Sequence, residues 1–534
     1  MSGLMKNMLF QRLMVLLILF FPLFSLGAQE RWYRFLEINA WDEFVGRREI
    51  SLEEAKSTNA YRFSYDATER LVTIEYHQSG RSLADPFFGV QRIEITYEGR
   101  WIHQKYGDDR GVPVPDDHGV WARRFRRNER GDVEAVFHYD RYGNLVPDRR
   151  GVAMILCETD ELGRRAAERF FDVFGARVSD NRGIWEVRYG WTEEGLSSEE
   201  RYYDQEGFPS VATGEGVHGY LWNRNSEGDL LAEQRVDIAG MPVLAADGSA
   251  SIAWERNLQG RPVMEHRYDE SGELAPDVDG VSIYARSYDE AGNLVFQEHF
   301  GPDGDSVQDL AGVAAYRWEH HPQGNELEQL NLDENGALTE DDAGMASYRW
   351  EYDGRGLITA STSFGVDDQP KRDQWGVARY RFVHDDARNL VEAASFSDWE
   401  DLVADLAGVA VYRWEYDEWG RKTHERHYDE HDRFMEDGQG IAEYRWTYDD
   451  DGRRNEQRQY GLYGQLRADP EGVAIYAWEY DGWGRVVERR HYGIDERPVD
   501  DVEGTALARW SYGKDGRPLT VARFDRRTLP SEGK

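Results

Sequence analysis

Three histidines stand within the eight residues "HERHYDEH", His424, His427 and His431, a grouping that could hold zinc. On a strand, residues three apart face opposite sides. A turn at Asp429 also separates His431 from the other two, so the pattern predicts no convergence. Acidic stretches such as "GPDGDSVQD", "LDENGALTEDD" and "YDDDGRR" offer oxygen ligands for calcium. None keeps the spacing of an EF-hand loop. Turn formation explains these acids, structural calcium remains the alternative, and no other cofactor is expected. For sugars the chemistry would come from aromatic faces. Trp419 and Trp483 each lie inside a turn, between an aspartate and a glycine, where a ring is left exposed to stack on a pyranose, and these two are the candidate ligand-binding residues. The single cysteine, Cys157, takes a position otherwise held by an aromatic, which predicts a buried structural thiol and not a nucleophile. The chain has no Gly-x-Ser-x-Gly, phosphate-cradling loop or metalloprotease helix, so it reads as a non-enzyme with no catalytic residues.

The elements that position these residues repeat. "GVAVYRWEYD" at Gly408 returns as "GIAEYRWTYD" at Gly440 and "GVAIYAWEYD" at Gly472, 32 residues apart. The same anchor glycine recurs from Gly119 to Gly504, with one extra residue between Gly183 and Gly216. Two weaker units, at Ser57 and Gly89, bring the array to about fifteen. A fixed period of this length marks a repeat architecture, in which a unit completes its core against its neighbours. Counting from the anchor glycine, positions 3, 5, 7 and 9 of the clearest copy are Ala410, Tyr412, Trp414 and Tyr416, with polar residues between. That alternation predicts a half-buried strand. Asp417 and Gly420, Asp449 and Gly452, and Asp481 and Gly484 then read as hairpin turns, the aspartate capping and the glycine taking a left-handed conformation. A second strand runs to an aromatic at position 21, such as Tyr428, and a second Asp-x-x-Gly turn follows. A third turn crosses the unit boundary, where Asp309, Asp341, Asp405, Asp437, Asp469 and Asp501 sit three residues before the next anchor. The expectation is two strands and a compact double turn per unit. The fold class is therefore all-β, a tandem β-hairpin array forming a coiled ribbon, solenoid or shell, its Tyr/Trp face buried by curvature.

The recurrent "YDEWGR", "YDGWGR", "YDEAGNL" and "YDRYGNL" resemble the YD repeats of RHS-type and teneurin-like proteins. The resemblance implies hairpin ribbons wound into a shell, and with them a role around a cargo or toxin. The period of 32 is longer than is usual for those repeats, and neither a self-cleaving aspartate segment nor a distinct C-terminal toxin is visible. MORN-like and WG repeats are a related alternative.

Residues 1–28 carry Lys6 and Arg12 ahead of an apolar run from Leu13 to Leu26, then Gly27 and Ala28, which reads as a secretory signal peptide. No stable membrane span is expected once it is cleaved. Residues 29–56 precede the period and hold a capping box at Ser51 and Glu54, and are read as an N-terminal cap; residues 57–534 are the repeats. The net charge is −37, from 101 acidic against 64 basic residues. Such a surface repels nucleic acid and anionic lipid. One cysteine excludes an internal disulfide framework. Together these predict an exported protein of the periplasm, cell surface or exterior, acting as a multivalent protein-binding scaffold of the cell envelope. Its alternatives are binding of glycan or cell-wall polysaccharide through Trp419 and Trp483, and an RHS-like shell.

Overall fold

The structure is a computed structural model and describes residues 29–527, apart from Ser79, Gln323, 450–451, 482–485 and 513–517. The expected signal peptide lies outside the described residues. Nearly everything described is strand and turn, and 33 strands form one antiparallel sheet. β1 (Gln29–Ile38) is flanked by β2 (Phe44–Ile50) and β3 (Asn59–Tyr65), so the segment before the repeats supplies the first strands of the sheet. Between β2 and β3 a single helical turn, α1 (Leu52–Ala55), starts at Ser51, whose hydroxyl accepts from the Glu54 amide at 3.2 Å.

The unit beginning at Gly408 shows how the rest is built. Strands Val411–Tyr416 and Lys422–Tyr428 form a hairpin closed by the Asp417–Arg421 turn. The chain then folds back on the strand end, with Tyr428 bridging Phe434 and the Met435 amide donating to the His427 carbonyl at 3.0 Å. A second turn at Asp429 and a third at Asp437 complete the connection. Two strands per unit is an even number, so every unit enters the sheet in the same direction and strands pair in sequence order. In each hairpin from Ala122–Tyr139 onward the register shifts near the turn, as between Glu415 and Tyr416. A bulge of this kind sharpens the local right-handed twist, and its repetition bends the ribbon into a coil.

The coil brings later turns onto the first strands. Trp41 donates through its indole to the Leu162 carbonyl at 3.0 Å, and the Ala40 amide donates to Gly195 O at 3.1 Å. Arg47 reaches Gly228 O at 3.0 Å, Arg48 reaches Leu258 O at 2.7 Å, and Gln78 reaches Gly324 O at 3.5 Å. Inside this first coil lies the main apolar core, from Tyr33 to Val217, with Phe63, Phe88, Tyr106, Phe170 and Ile184 fully buried. Later units differ from expectation. Their buried residues are the short Val409, Ala410 and Val411 and their equivalents, whereas Tyr412, Trp414 and Tyr416 are half-buried. Among the described residues no second layer covers that aromatic face, and the rings cover one another: Tyr412 and Trp414 stack at 5.9 Å and 5°, and Tyr220–Trp222, Tyr316–Trp318, Tyr348–Trp350, Tyr444–Trp446 and Tyr476–Trp478 stack likewise.

Candidate functional site

The turns carry the residues singled out from sequence. Asp417 accepts from the Trp419 and Arg421 amides at 3.0 and 2.9 Å, and Gly420 has φ +76°. Asp449 likewise accepts from the Arg453 amide at 2.8 Å, and Gly452 has φ +78°. The Asp481 carbonyl accepts from Arg453 at 3.2 Å; Trp483 and Gly484 lie outside the described residues. Trp419 stands out from its turn, 70% exposed, with the Arg421 guanidinium 4.6 Å from the ring centre. The acids of the candidate calcium loops serve turns in the same way: Asp333 accepts from the Asn335 and Ala337 amides at 2.9 and 2.8 Å.

The three histidines do not meet. His427 is buried and its Nδ1 donates to the Ile441 carbonyl at 3.0 Å, His424 sits on the other face against Glu415 at 3.3 Å, and His431 is exposed at the next turn. His427 belongs instead to a polar column that sequence reading missed. The residue at position 20 is buried and bonds the carbonyl just after the next anchor glycine, as His138 to Val152 O, His299 to Val313 O, Asn331 to Met345 O and His491 to Thr505 O. Burial lowers the pKa of His138 to about 4 and moves His299 and His491 the same way. Beside this column runs a second missed contact. In several units the aspartate three before the anchor caps its turn with Oδ1, as Asp405 does for the Val409 amide at 3.1 Å, and accepts the tyrosine hydroxyl seven residues on with Oδ2, Tyr412 at 2.7 Å. The same pair recurs as Tyr284–Asp277, Tyr316–Asp309, Tyr348–Asp341 and Tyr476–Asp469, each at 2.7 Å. The sequence signal was present, an Asp and a Tyr at constant separation, but each had already been explained by its own element.

Two concave sites also escaped the sequence reading. Under the β1–β2 turn, a cavity of about 310 Å³ is lined by Asp42, Arg123, His138, Arg150, Arg165 and Glu168, among others. Its guanidiniums are neutralised: Arg123 by Asp116 at 2.7 Å, Arg150 by Asp148 at 2.9 Å, and Arg165 by Asp42 and Glu168. Cys157 lies beside Arg165, half-buried where full burial was expected, and desolvation pushes its thiol up to about 11. At neutral pH that thiol is protonated. The warning in sequence was the loss of aromatics at positions 5 and 7, where Arg123 and Cys157 stand. The second site is a groove between the units at Gly89 and Gly119.

The most repetitive exposed feature is the edge carrying the double turns. At position 31 stand Val278, Leu310, Leu406 and Val502, between 56% and 75% exposed. At position 24 stand Tyr142, Phe174, Trp399 and Tyr463, all exposed, Tyr463 to 89%. The tryptophans of the hairpin turn carry a local signal, exposure within a single turn, whereas these residues are marked only by their recurrence across units.

No family model matches the chain, and no curated protein matches it. Among solved structures, the chain is similar to the crystal structure of TcdB2-TccC3-TEV, at 11% identity, covering 94% of this chain and 25% of that one, with a TM-score of 0.39. It is also similar to the crystal structure of TcdB2-TccC3-Cdc42, at 12% identity, 88% and 26% coverage and a TM-score of 0.26. A third is the Photorhabdus luminescens Tc holotoxin pore, at 13% identity, 88% and 27% coverage and a TM-score of 0.23. The chain thus spans about a quarter of the length of these chains. Values this low carry no activity or partner across.

Proposed function

We propose that this chain is an exported, non-enzymatic scaffold that binds protein partners in the cell envelope through its double-turn edge. The observation that supports this is the recurrence of exposed apolar residues, Val278, Leu310, Leu406 and Val502, at one position in four of the eight units from Gly248 to Gly472, on one continuous sheet. Turn apices that serve folding alone would be polar, as most of this chain's turns are. Contacts too weak to hold singly add up when a rigid array presents them together. The repeat sets them whole periods apart; the sheet gives them a common side. The test is a photo-reactive residue placed at Leu310 or Leu406 in cells, with Glu415, exposed on a strand face, as the control. Discrete adducts from the edge positions and none from Glu415 support the reading, and equal or absent labelling rejects it.

A glycan-binding reading is favoured by one observation, the exposure of Trp419 on a turn pinned by Asp417. It predicts that purified residues 29–534 are retained on cell-wall sacculi or polysaccharide, and that Trp419→Ala removes retention without unfolding the chain. The coiling of the ribbon onto its first strands supports a third reading, a shell around a cargo, which scattering would show as a compact hollow particle.

A further inference from the structure

On the face of the sheet opposite the Tyr–Trp stacks, an arginine at position 6 lies over the aromatic at position 21. Arg413 covers Tyr428 at 4.3 Å, Arg349 covers Phe364 at 4.1 Å and Arg124 covers Tyr139 at 4.3 Å. In two later units that charge is met by two acids. Arg413 pairs with Glu392, its cross-strand neighbour, at 2.7 Å and with Asp432 at position 25 at 2.8 Å. Arg349 pairs with Glu328 and Asp368, at the equivalent places, at 2.6 and 2.5 Å.

Arg124 has lost both. The residue across the ladder is His103, whose pKa is lowered by burial, and position 25 is Gly143. A Cβ on Gly143 would lie 4.0 Å from the Arg124 guanidinium, so an acid there would reach it. One strand over, Lys105 stands opposite Ala122, where the later unit has Ala394 opposite Val411. Neither Arg124 nor Lys105 forms an ion pair among the described residues. Glu94 faces Lys105 in register but is engaged by Arg92 at 2.9 Å, and the Asp140 oxygens hold Asn144 and the Tyr142 amide. These residues line a groove of about 310 Å³, walled by Trp121, Tyr139 and Tyr142, which falls at the small end of ligand pockets, about 300–1,000 Å³.

We propose that this groove binds a carboxylated sugar, its carboxylate held by Arg124 and Lys105 and its ring against Trp121 and Tyr142. A guanidinium matches the planar carboxylate, and aromatic walls suit a pyranose face. Two cations without ion-pair partners beside aromatic walls, in a chain of net charge −37, are the distinguishing mark. The site is independent of the scaffold reading and of Trp419.

The test is titration calorimetry of residues 29–534 with glucuronate, glucose and inorganic phosphate. Saturable glucuronate binding is expected, with glucose weaker by about tenfold or more because the charge-assisted bonds are lost. Gly143→Asp places at position 25 the acid that Asp368 and Asp432 provide in those two units, and should weaken glucuronate by about tenfold as well. That variant should fold normally, because Asp368 and Asp432 occupy the same position with φ +58° and +57°. Arg124→Gln should act in the same direction. Unchanged binding in Gly143→Asp, equal binding of glucose, or phosphate binding as tightly as glucuronate would each overturn the proposal.

Discussion

At the scale of single residues, the aspartate three before an anchor glycine does a second job, beyond capping its turn, where a tyrosine stands seven residues on. Asp405 satisfies the Val409 amide and also receives the Tyr412 hydroxyl, and these two contacts tie the turn to the following strand. Burial and the hydrogen bond to Asp405 raise the Tyr412 pKa, so the phenol stays neutral and donates. Tyr412→Phe should cost about 1–2 kcal/mol, read from the denaturant midpoint, and Asp405→Ala should cost more because the turn loses its cap as well. The buried histidines make stability depend on pH. His138 has a folded pKa of about 4, below its ordinary 6.5, so the unfolded chain takes up the proton first. Its contribution is complete above pH 6.5 and is lost as pH falls from there through about 4, by roughly 3 kcal/mol at most. His138→Gln, which puts at position 20 the residue that Gln459 supplies in a later unit, should flatten the fall in midpoint between pH 6.5 and 4.5. A slope equal to that of the unsubstituted chain would show that other groups carry it.

At the scale of the element, the unit is a hairpin whose turn demands a left-handed residue. Position 13 is glycine in all but one of the thirteen later units, and the exception, Arg388, is still held at φ +73°. A non-glycine residue is strained there by about 1–2 kcal/mol. Arg388→Gly should therefore raise the denaturant midpoint by the equivalent of about 1 kcal/mol, less what the 3.3 Å bond from Arg388 to Arg355 O contributes. This level was the most legible from sequence. Alternation at Ala410, Tyr412, Trp414 and Tyr416 located the strands, and Asp417 and Gly420 located the turn, because each signal is local and repeats. What escaped notice depends on contacts between elements. The Asp405–Tyr412 pair spans a turn and a strand, the position 20 column bonds the next unit, and the groove at Arg124 becomes visible only when one unit is set against another. Trp419 was found because its own turn exposes it; Leu406 and Val502 were not, since their meaning lies in recurrence.

At the scale of the whole molecule, bulges repeated through the hairpins turn a long ribbon back on itself. The sequence pattern predicted coiling but not where the coil would close, because the residues that close it, Trp41, Arg47, Arg48 and Gln78, precede or interrupt the clear repeats. Arg48 pairs with Glu227 and Asp229, both at 2.7 Å, and Arg47 pairs with Asp229 at 2.8 Å. Arg47→Glu together with Arg48→Glu would set like charges against this seam, and small-angle scattering should record a larger radius of gyration with strand content unchanged. These closing contacts fall on hairpin turns, at Leu162, Gly195, Gly228, Leu258 and Gly324, and leave the double-turn edge out of the seam. The most direct measurement is the dissociation rate of residues 29–534 from immobilised cell-envelope protein as Leu310, Leu406 and Val502 are changed to serine one, two and three at a time. A multivalent edge predicts a rate that multiplies with each substitution while the melting temperature holds; a rate unchanged in the triple variant, or no retention of the unsubstituted chain, would contradict it.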